Sequence, residues 1–574
     1  MCGIFALLNN TINIDLVYNE FMKGRFRGPE FSKLDTNFIK MSLGFHRLAI
    51  NGLNEQSNQP LVINDIVLIC NGEIYNYKEL YSLMKDIHPI TGSDCEVIIY
   101  LYLKYGIEQT LTMLDGVFSF ILFDNRISDD LNNKIYIARD PFGIRPLYYL
   151  KDTINNVYGF ASELKCLETF YNYNHNECSI EQFKPGTYSV FNLSSQVLSA
   201  WKPFKENVCY FVPYLSYTEL INKDTYNDLL IEFYNNISYH LSNAVNKRCL
   251  TTERPIACLL SGGLDSSLIA ALVACFNKKQ NINQPLETYS IGLSGSEDLK
   301  YARIVADYIG SKHTEVIVTE KEMFDIIPEL IHKIESYDTT TIRASIGNYL
   351  LGKYIASNSQ AKVIFNGDGS DELFGGYLYM NKCPDDIEFD KECRRLLKDI
   401  HLFDVLRSDK SISSNGLEPR TPFLDRTFAN YVLTIPPYFR NHNNTHDIEK
   451  RLLRNAFSFE YFENSDKKPI LPDTILMRKK EAFSDGVTSH GRSLYTILQE
   501  NIATLLNIDE PDKTFEPSID TEKYYYKKIF TSLFPNCETI LPYFWMPKYT
   551  DAKDPSARTL VFYNDSIDVN FLTL

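Results

Sequence analysis

The second residue of this 574-residue chain is a cysteine, directly behind Met1. Removal of Met1 would leave a nucleophile that carries its own base. A free α-amine has a pKa of about 7.7–8.0 and can take the thiol proton directly or through one water. A second-position cysteine alone says little. Four further segments give it weight: Arg25-Phe26-Arg27-Gly28-Pro29, His46-Arg47-Leu48, Asn71-Gly72-Glu73-Ile74-Tyr75-Asn76 and Gly92-Ser93-Asp94. They offer an arginine for a carboxylate, an amide beside a backbone N–H for an oxyanion, and acids for an ammonium. Those are the needs of an amino acid whose side-chain amide is attacked by a thiolate.

A second set lies beyond residue 255. Ser261-Gly262-Gly263-Leu264-Asp265-Ser266-Ser267 stands between an apolar run and a helical one. Its glycines allow a tight turn, and the helix start turns N–H groups and a positive dipole end toward an anion. The lysine of a Walker A loop is missing. Asn366-Gly367-Asp368-Gly369-Ser370-Asp371 follows another apolar run, where an α/β sheet binds ligands. It lacks the EF-hand spacing. Thr340, Thr341 and Arg343 offer hydroxyls and a guanidinium to a small dicarboxylate. Gly416 to Asp425 reads as a loop that opens a helix, and Arg478-Lys479-Lys480 supplies basic charge. Beside a nucleotide, Lys480 is placed to stabilise phosphate charge.

The elements that must position these residues divide the chain in two. Up to about residue 200, short apolar runs such as Val67 to Cys70, Gly116 to Phe123 and Lys134 to Ala138 are separated by turn signals. They predict sheets with covering helices, an α+β half. From about residue 226 strands and helices alternate: Pro255 to Leu260, Ser266 to Phe276, Glu287 to Gly292, Leu299 to Ile309, Thr314 to Val318, Glu320 to Ile334 and Ala361 to Phe365. That alternation predicts an α/β half with a doubly wound parallel sheet. The expected divisions are a first domain at 2–200, a linker at 201–225, a second domain at 226–550 and a tail at 551–574.

The formal net charge of −15 argues against a general nucleic-acid binder. No apolar run is long enough to span a membrane, and no basic-then-apolar leader opens the chain. The 12 cysteines form no C-x-x-C pair. They read as core residues of a cytoplasmic protein.

The first set of segments resembles glutamine amidotransferase domains of the N-terminal nucleophile (Ntn) hydrolase type, an αββα sandwich. The Ser261 to Ser267 loop resembles that of ATP pyrophosphatases, which form an adenylate and release pyrophosphate. Taken in order from Cys2 to about Tyr563, and including Asp554-Pro555-Ser556-Ala557-Arg558, the whole set resembles the glutamine-hydrolysing asparagine synthetases. That resemblance implies Cys2 as nucleophile, Arg47 on the glutamine carboxylate, Asn71 and Gly72 as oxyanion hole, and Glu73 and Asp94 on the α-amine. It implies ATP bound by Leu259, Ser261, Gly262, Gly263, Asp265, Ser266, Ile291, Asn366, Gly367 and Asp371, with Mg²⁺ held by Asp265 and Asp371. Thr340, Thr341 and Arg343 would take aspartate, and Asp368 and Lys480 would act in catalysis. Ammonia would pass through an internal tunnel, and two copies would form a homodimer. Three departures from the family pattern stand out: Phe26 for the usual His, Asn366 for Ser, and Asp368 for Glu. A carboxylate one methylene shorter and misplaced can cost up to about a hundredfold in rate. Two other readings fit parts of the sequence. A β-lactam-forming relative would lack a working Cys2. A non-catalytic sensor of glutamine or nucleotide has only Asn366 and Asp368 in its favour.

Overall fold

The computed structural model describes residues 1–126, 133–172, 178–194, 199–212, 226–445, 448–462, 467–481, 483–488 and 492–560. Among them the first half holds strands β1 (Gly3–Leu8), β2 (Phe31–Phe38), β3 (Met41–Arg47), β4 (Leu61–Ile63), β5 (Ile66–Ile74), β6 (Gly116–Asp124), β7 (Lys134–Arg139), β8 (Tyr148–Asp152), β9 (Val157–Ala161), β10 (Cys178–Gln182), β11 (Thr187–Ser194) and β12 (Ala200–Cys209). They form two antiparallel sheets, ordered β10-β8-β9-β1-β3-β2 and β12-β11-β7-β6-β5-β4.

The strands β1 and β5 are apolar on both faces because both faces are covered. In β1, Ile4, Ala6 and Leu8 meet Val67, Ile69, Ile121 and Phe123 of the facing sheet. Phe5 and Leu7 turn the other way, onto Val17 and Phe21 of the helix Ile14–Met22. In β5, Val67 and Ile69 point inward. Leu68 and Cys70 point out to Ile98 and Leu101 of the helix Val97–Met113. The period of two along each strand thus builds a helix–sheet–sheet–helix sandwich. Asn71-Gly72 sits inside β5, paired with Ser119 and Phe118, and is not a hairpin turn.

The second half is a parallel sheet of β13 (Ile256–Leu259), β14 (Glu287–Gly292), β15 (Lys312–Ile317), β16 (Val363–Phe365) and β17 (Glu418–Arg420), in the order β15-β14-β13-β16-β17. From β13 the chain winds outward through β14 and β15, then returns to lay β16 and β17 on the other side. The switch point therefore lies between β13 and β16, and a ligand crevice belongs at their carboxyl ends. Ser261 follows the first of these strands and Asn366 the second.

Some expectations need correction. The span 201–225 does not open as a linker. Residues to Cys209 continue β12, anchored by Trp201, whose side chain is fully buried and whose indole N–H donates to Ile39 O (2.9 Å). Residues 213–225 lie outside the described residues. The segment Glu320 to Ile334 is two helices, Glu320–Asp325 and Ile327–Ile334, broken at Ile326 ahead of Pro328. Glu418–Arg420, expected in a loop, is an edge strand. Part of the expected tail is packed: Asp554, Pro555 and Ser556 are buried. Residues 561–574 are outside the described set. No described helix is long and apolar enough to cross a membrane.

The two halves share one buried charge network. Arg27 pairs with Glu163 (2.7 Å) and with Asp409 (2.8 Å). Lys410 pairs with Glu163 (3.0 Å) and Glu335, and Lys165 with Glu163 (3.0 Å) and Glu335 (3.2 Å). Arg145 reaches Asp409 (3.4 Å) and Glu418 (3.8 Å). All these side chains are buried. Phe26 lies beside this network, its ring 4.6 Å from each of the Lys165 and Lys333 ammonium groups.

Candidate active sites

Cys2 stands just ahead of β1, and the Gly3–His46 pairing sets it beside Arg47 at the end of β3. Its thiol is directed at Leu48 O (3.7 Å). Burial pushes the thiol up, and the positive α-amine draws it back down. The amine, here on Met1, is itself lowered to about 6 by burial. Arg47 is buried yet meets only neutral oxygens. It donates to Asn54 O (2.9 Å), Asn58 Oδ1 (2.7 Å), Asn51 O (3.3 Å) and Gly52 O. A buried guanidinium without a carboxylate partner among the described residues fits a carboxylate ligand.

Asn71 is fully buried, with Nδ2 3.4 Å from Ser162 Oγ and Oδ1 without a partner. Gly72 has no room for a side chain: a Cβ would lie 2.4 Å from Val117 O. Glu73 and Asp94 are buried side by side. Asp94 accepts from Ile74 N (2.7 Å), and burial raises its pKa to about 6. Burial and the neighbouring Asp94 hold Glu73 well above the usual carboxylate range. Two such carboxylates favour a cationic ligand, which would let both ionise.

At the switch point a cavity of about 200 Å³ is lined by Leu259, Ser261, Gly263, Asp265, Ser266, Ile291, Thr340, Thr341, Asn366, Gly367, Asp368, Asp371 and Lys480. The helix Leu264–Lys279 starts here, with Gly263 at its N-cap, so its first N–H groups face the cavity. Gly367 must be glycine, since a Cβ would sit 2.8 Å from the Asp265 backbone. Asp265 and Asp371 are bridged by lysines. Lys480 Nζ is 2.6 Å from Asp371 Oδ2 and 4.0 Å from Asp265 Oδ2. These charges hold Asp371 well below its usual range and Lys480 above its own.

The second bridge is Lys450, which sequence reasoning missed. Its Nζ lies 2.6 Å from Asp265 Oδ2 and 2.6 Å from Asp371 Oδ1. Lys450 has φ 60 and is buried. A Cβ on Gly376 would come within 2.0 Å of Lys450 Cε, so glycine there admits the lysine. A lysine in a left-handed conformation at a helix start is the local oddity, but sequence does not display φ. Arg407 was missed as well. Its Nη2 is 3.2 Å from Asp368 Oδ1 and 2.7 Å from Asp404 Oδ1. Asn366 Nδ2 donates to Ser408 Oγ (2.6 Å). Two of the unusual residues, Asn366 and Asp368, therefore both lean on the helix Asp404–Ser413.

Thr340 and Thr341 open the helix Thr339–Asn358, which Asp338 caps by accepting from Thr341 N (2.8 Å). Their hydroxyls are buried and unpartnered, at a helix N-terminus. That suits a carboxylate. Arg343 shares a small cavity with Thr340, but its charge is engaged on the other side. It is buried and bidentate to Glu522 (2.9 and 2.5 Å) and to Asp554 (2.7 and 2.8 Å). Its donors are engaged by two carboxylates, an arrangement that gives it a structural role here. Gly262 serves the loop's turn: its φ is +74, and a Cβ would lie 2.4 Å from Ala302 N. Ala482, within the expected basic segment, lies outside the described residues.

The chain matches the Asparagine synthase family over residues 236–388 and 381–555, and the Glutamine amidotransferase domain family over residues 1–197. It is 41% identical to the chicken (Gallus gallus) protein named asparagine synthetase [glutamine-hydrolyzing], over 99% of this chain and 100% of the chicken one. It is 39% identical to the human (Homo sapiens) protein of that name, again over 99% and 100%. Among solved structures, a glutamine phosphoribosylpyrophosphate amidotransferase from B. subtilis is similar at 15% identity and a TM-score of 0.30, over 55% of this chain and 81% of that one.

Proposed function

The chain belongs to the glutamine-hydrolysing asparagine synthetases, and on that premise we propose that it amidates aspartate with nitrogen taken from glutamine, using ATP. After Met1 is removed, the Cys2 thiolate attacks the glutamine side-chain amide. Arg47 holds the α-carboxylate, and Glu73 and Asp94 hold the α-ammonium. Asn71 Nδ2 and the Gly72 N–H receive the oxyanion. Ammonia leaves, and water releases glutamate from the thioester.

In the second site the aspartate side-chain carboxylate, held at Thr340 and Thr341, attacks the α-phosphorus of ATP, and pyrophosphate departs. Lys450 and Lys480 turn from Asp265 and Asp371 to the phosphates as the charge moves. Ammonia then displaces AMP, and Asp368, steadied by Arg407, takes the proton that the attacking nitrogen loses. Leu259, Ile291, Asn366 and Gly367 form the nucleotide walls, and Ser261, Gly263 and Ser266 meet the phosphates.

Asp265 and Asp371 also suit Mg²⁺. Asp265 Oδ1 is buried without a hydrogen-bond partner, and two carboxylates plus phosphate oxygens are the donors this ion prefers. No third protein acid completes a metal cage among the described residues, which supports an ion that arrives with the triphosphate. When bound it would neutralise phosphate charge.

The pairing of two acids with two lysines at the switch point carries the second half of this reading. The test is asparagine formed from aspartate, ATP and Mg²⁺ with glutamine as the nitrogen source, with AMP counted alongside. Cys2→Ala should abolish that reaction and keep synthesis from ammonia. Glutamate without asparagine would overturn it. A homodimer and a cytoplasmic location complete the proposal; a solution mass near twice 66.3 kDa would support the dimer.

A further inference from the structure

Asn51 is half-buried between the two carboxylates assigned to the glutamine α-ammonium. Its amide Nδ2 lies 2.6 Å from Glu73 Oε2, 3.4 Å from Asp94 Oδ1 and 3.4 Å from Thr251 O. The main-chain carbonyl of Asn51 accepts from Arg47 Nη2 (3.3 Å). One residue therefore touches every charged group that would recognise the two ends of glutamine, and a carbonyl of the second half as well.

The chemistry of an amide suits that position. A carboxamide NH₂ carries two donors and no charge. It can fix two carboxylates without cancelling the negative charge that an ammonium needs. A lysine there would neutralise the pair and compete with substrate. The nearest cation, Arg420, stays 3.6 Å from Glu73 because its guanidinium is committed to Glu418 (2.8 Å) and Thr251 O (2.7 Å). We infer that Asn51 is a positioning residue for glutamine recognition, holding Glu73 and Asp94 aimed at the α-ammonium while leaving their charge available.

The amide has three acceptors for two hydrogens. When an ammonium takes Asp94, the second hydrogen is released to Thr251 O. The segment that carries Thr251 already clasps the glutamine loop: Glu253 N donates to Ile50 O (2.9 Å), Gly52 N to Glu253 Oε1 (2.6 Å), and Arg254 Nε to Ala49 O (2.8 Å). This segment leads into β13 and the Ser261 loop.

The inference rests on the glutaminase reading above, and the test separates the two. Glutamate release is measured against glutamine concentration and pH for the wild type, Asn51→Leu, Asn51→Ser and Asn51→Asp. The charged and titratable groups facing the pair are Arg420 and Glu418 of β17, Cys2, Tyr77, Tyr81 and Cys95, whose thiol is directed at Asp94 Oδ2 (3.8 Å); all are unchanged in these variants. Asn51→Leu removes both donors at similar volume. It should raise KM about tenfold with kcat within about twofold, and move the acid limb of kcat/KM to higher pH. Asn51→Ser, which restores one donor, should recover part of the KM, and Asn51→Asp, a third acid, should cost about a hundredfold. An unchanged KM and acid limb in Asn51→Leu and Asn51→Asp would overturn the inference, as would equal losses in kcat and KM for all three variants. A wild type that releases no glutamate would instead sink the glutaminase reading, and this inference with it.

Discussion

Lys450 and Asp265 meet at 2.6 Å in the floor of the cavity, and the same ammonium touches Asp371. The site thus stores its cations on its anions. A triphosphate would exchange both partners at once, phosphate for carboxylate on the lysine and metal for lysine on the acids.

Lys450→Met should therefore lower asparagine formation by about a hundredfold or more, the scale of losing one preorganised donor at a developing charge. Glutamate release should persist, because Lys450 has no contact with the first site. Parallel assays of the two products check it. Equal loss of both would point to a folding defect instead.

The Asp368–Arg407 contact of 3.2 Å gives the shorter carboxylate a fixed address. Asp368→Asn should cost about a hundredfold in synthesis at saturating ammonia. Asp368→Glu should stay within about tenfold of the wild type, since Arg407 also has Asp404 and can yield. Single-turnover AMP release would place the loss in adenylation or in amidation.

Glutamine use should fail in acid. The Asp94 carboxyl sits at about 6 because of burial, and an ammonium needs it ionised. kcat/KM for glutamine should fall at least tenfold per pH unit below that value, because the raised Glu73 must ionise as well. The sign for stability is the reverse. The folded state holds this proton more tightly than the unfolded chain does, at about 3.9. The ligand-free protein therefore loses stability as pH rises from about 4 to about 6. Glutamine should recover part of it, and thermal melts across this window with and without glutamine check both signs.

Arg343→Met should act on the fold. Removing it strands Glu522 and Asp554, both buried, at a cost of about 3–5 kcal/mol. The melting temperature should drop, while KM for aspartate in the remaining folded enzyme stays near the wild-type value. A selective rise in that KM with an unchanged melt would return Arg343 to the substrate.

The division into an α+β half and a parallel α/β half could be read from periodicity, because strands covered on both faces, such as β1 and β5, leave uninterrupted apolar runs. The loops Ser261 to Ser267 and Asn366 to Asp371 were legible for the same reason, each following such a run. β17 was not. Its three residues, Glu418-Pro419-Arg420, are polar or proline, and they form a strand only because β16 offers an edge. The acid partners of Arg343 were not legible, because a guanidinium three residues from Thr340 looks like a carboxylate ligand while those partners lie 179 and 211 residues away. Lys450 and Asn51 were invisible for a related reason: each acts through neighbours that only the fold assembles.

The buried charge lattice that joins Arg27, Glu163 and Lys165 to Glu335, Asp409 and Lys410 has a consequence for how such a chain can change over time. Neither half is an interchangeable part. Separated by gene splitting, the first would present Arg27 and Glu163 to water where they are now buried, and the second would do the same with Glu335, Asp409 and Lys410. A graft from a relative would have to carry the opposing charges with it. The halves are thus bound to a common history, and a substitution on one side of the seam sets the terms for what the other side can accept.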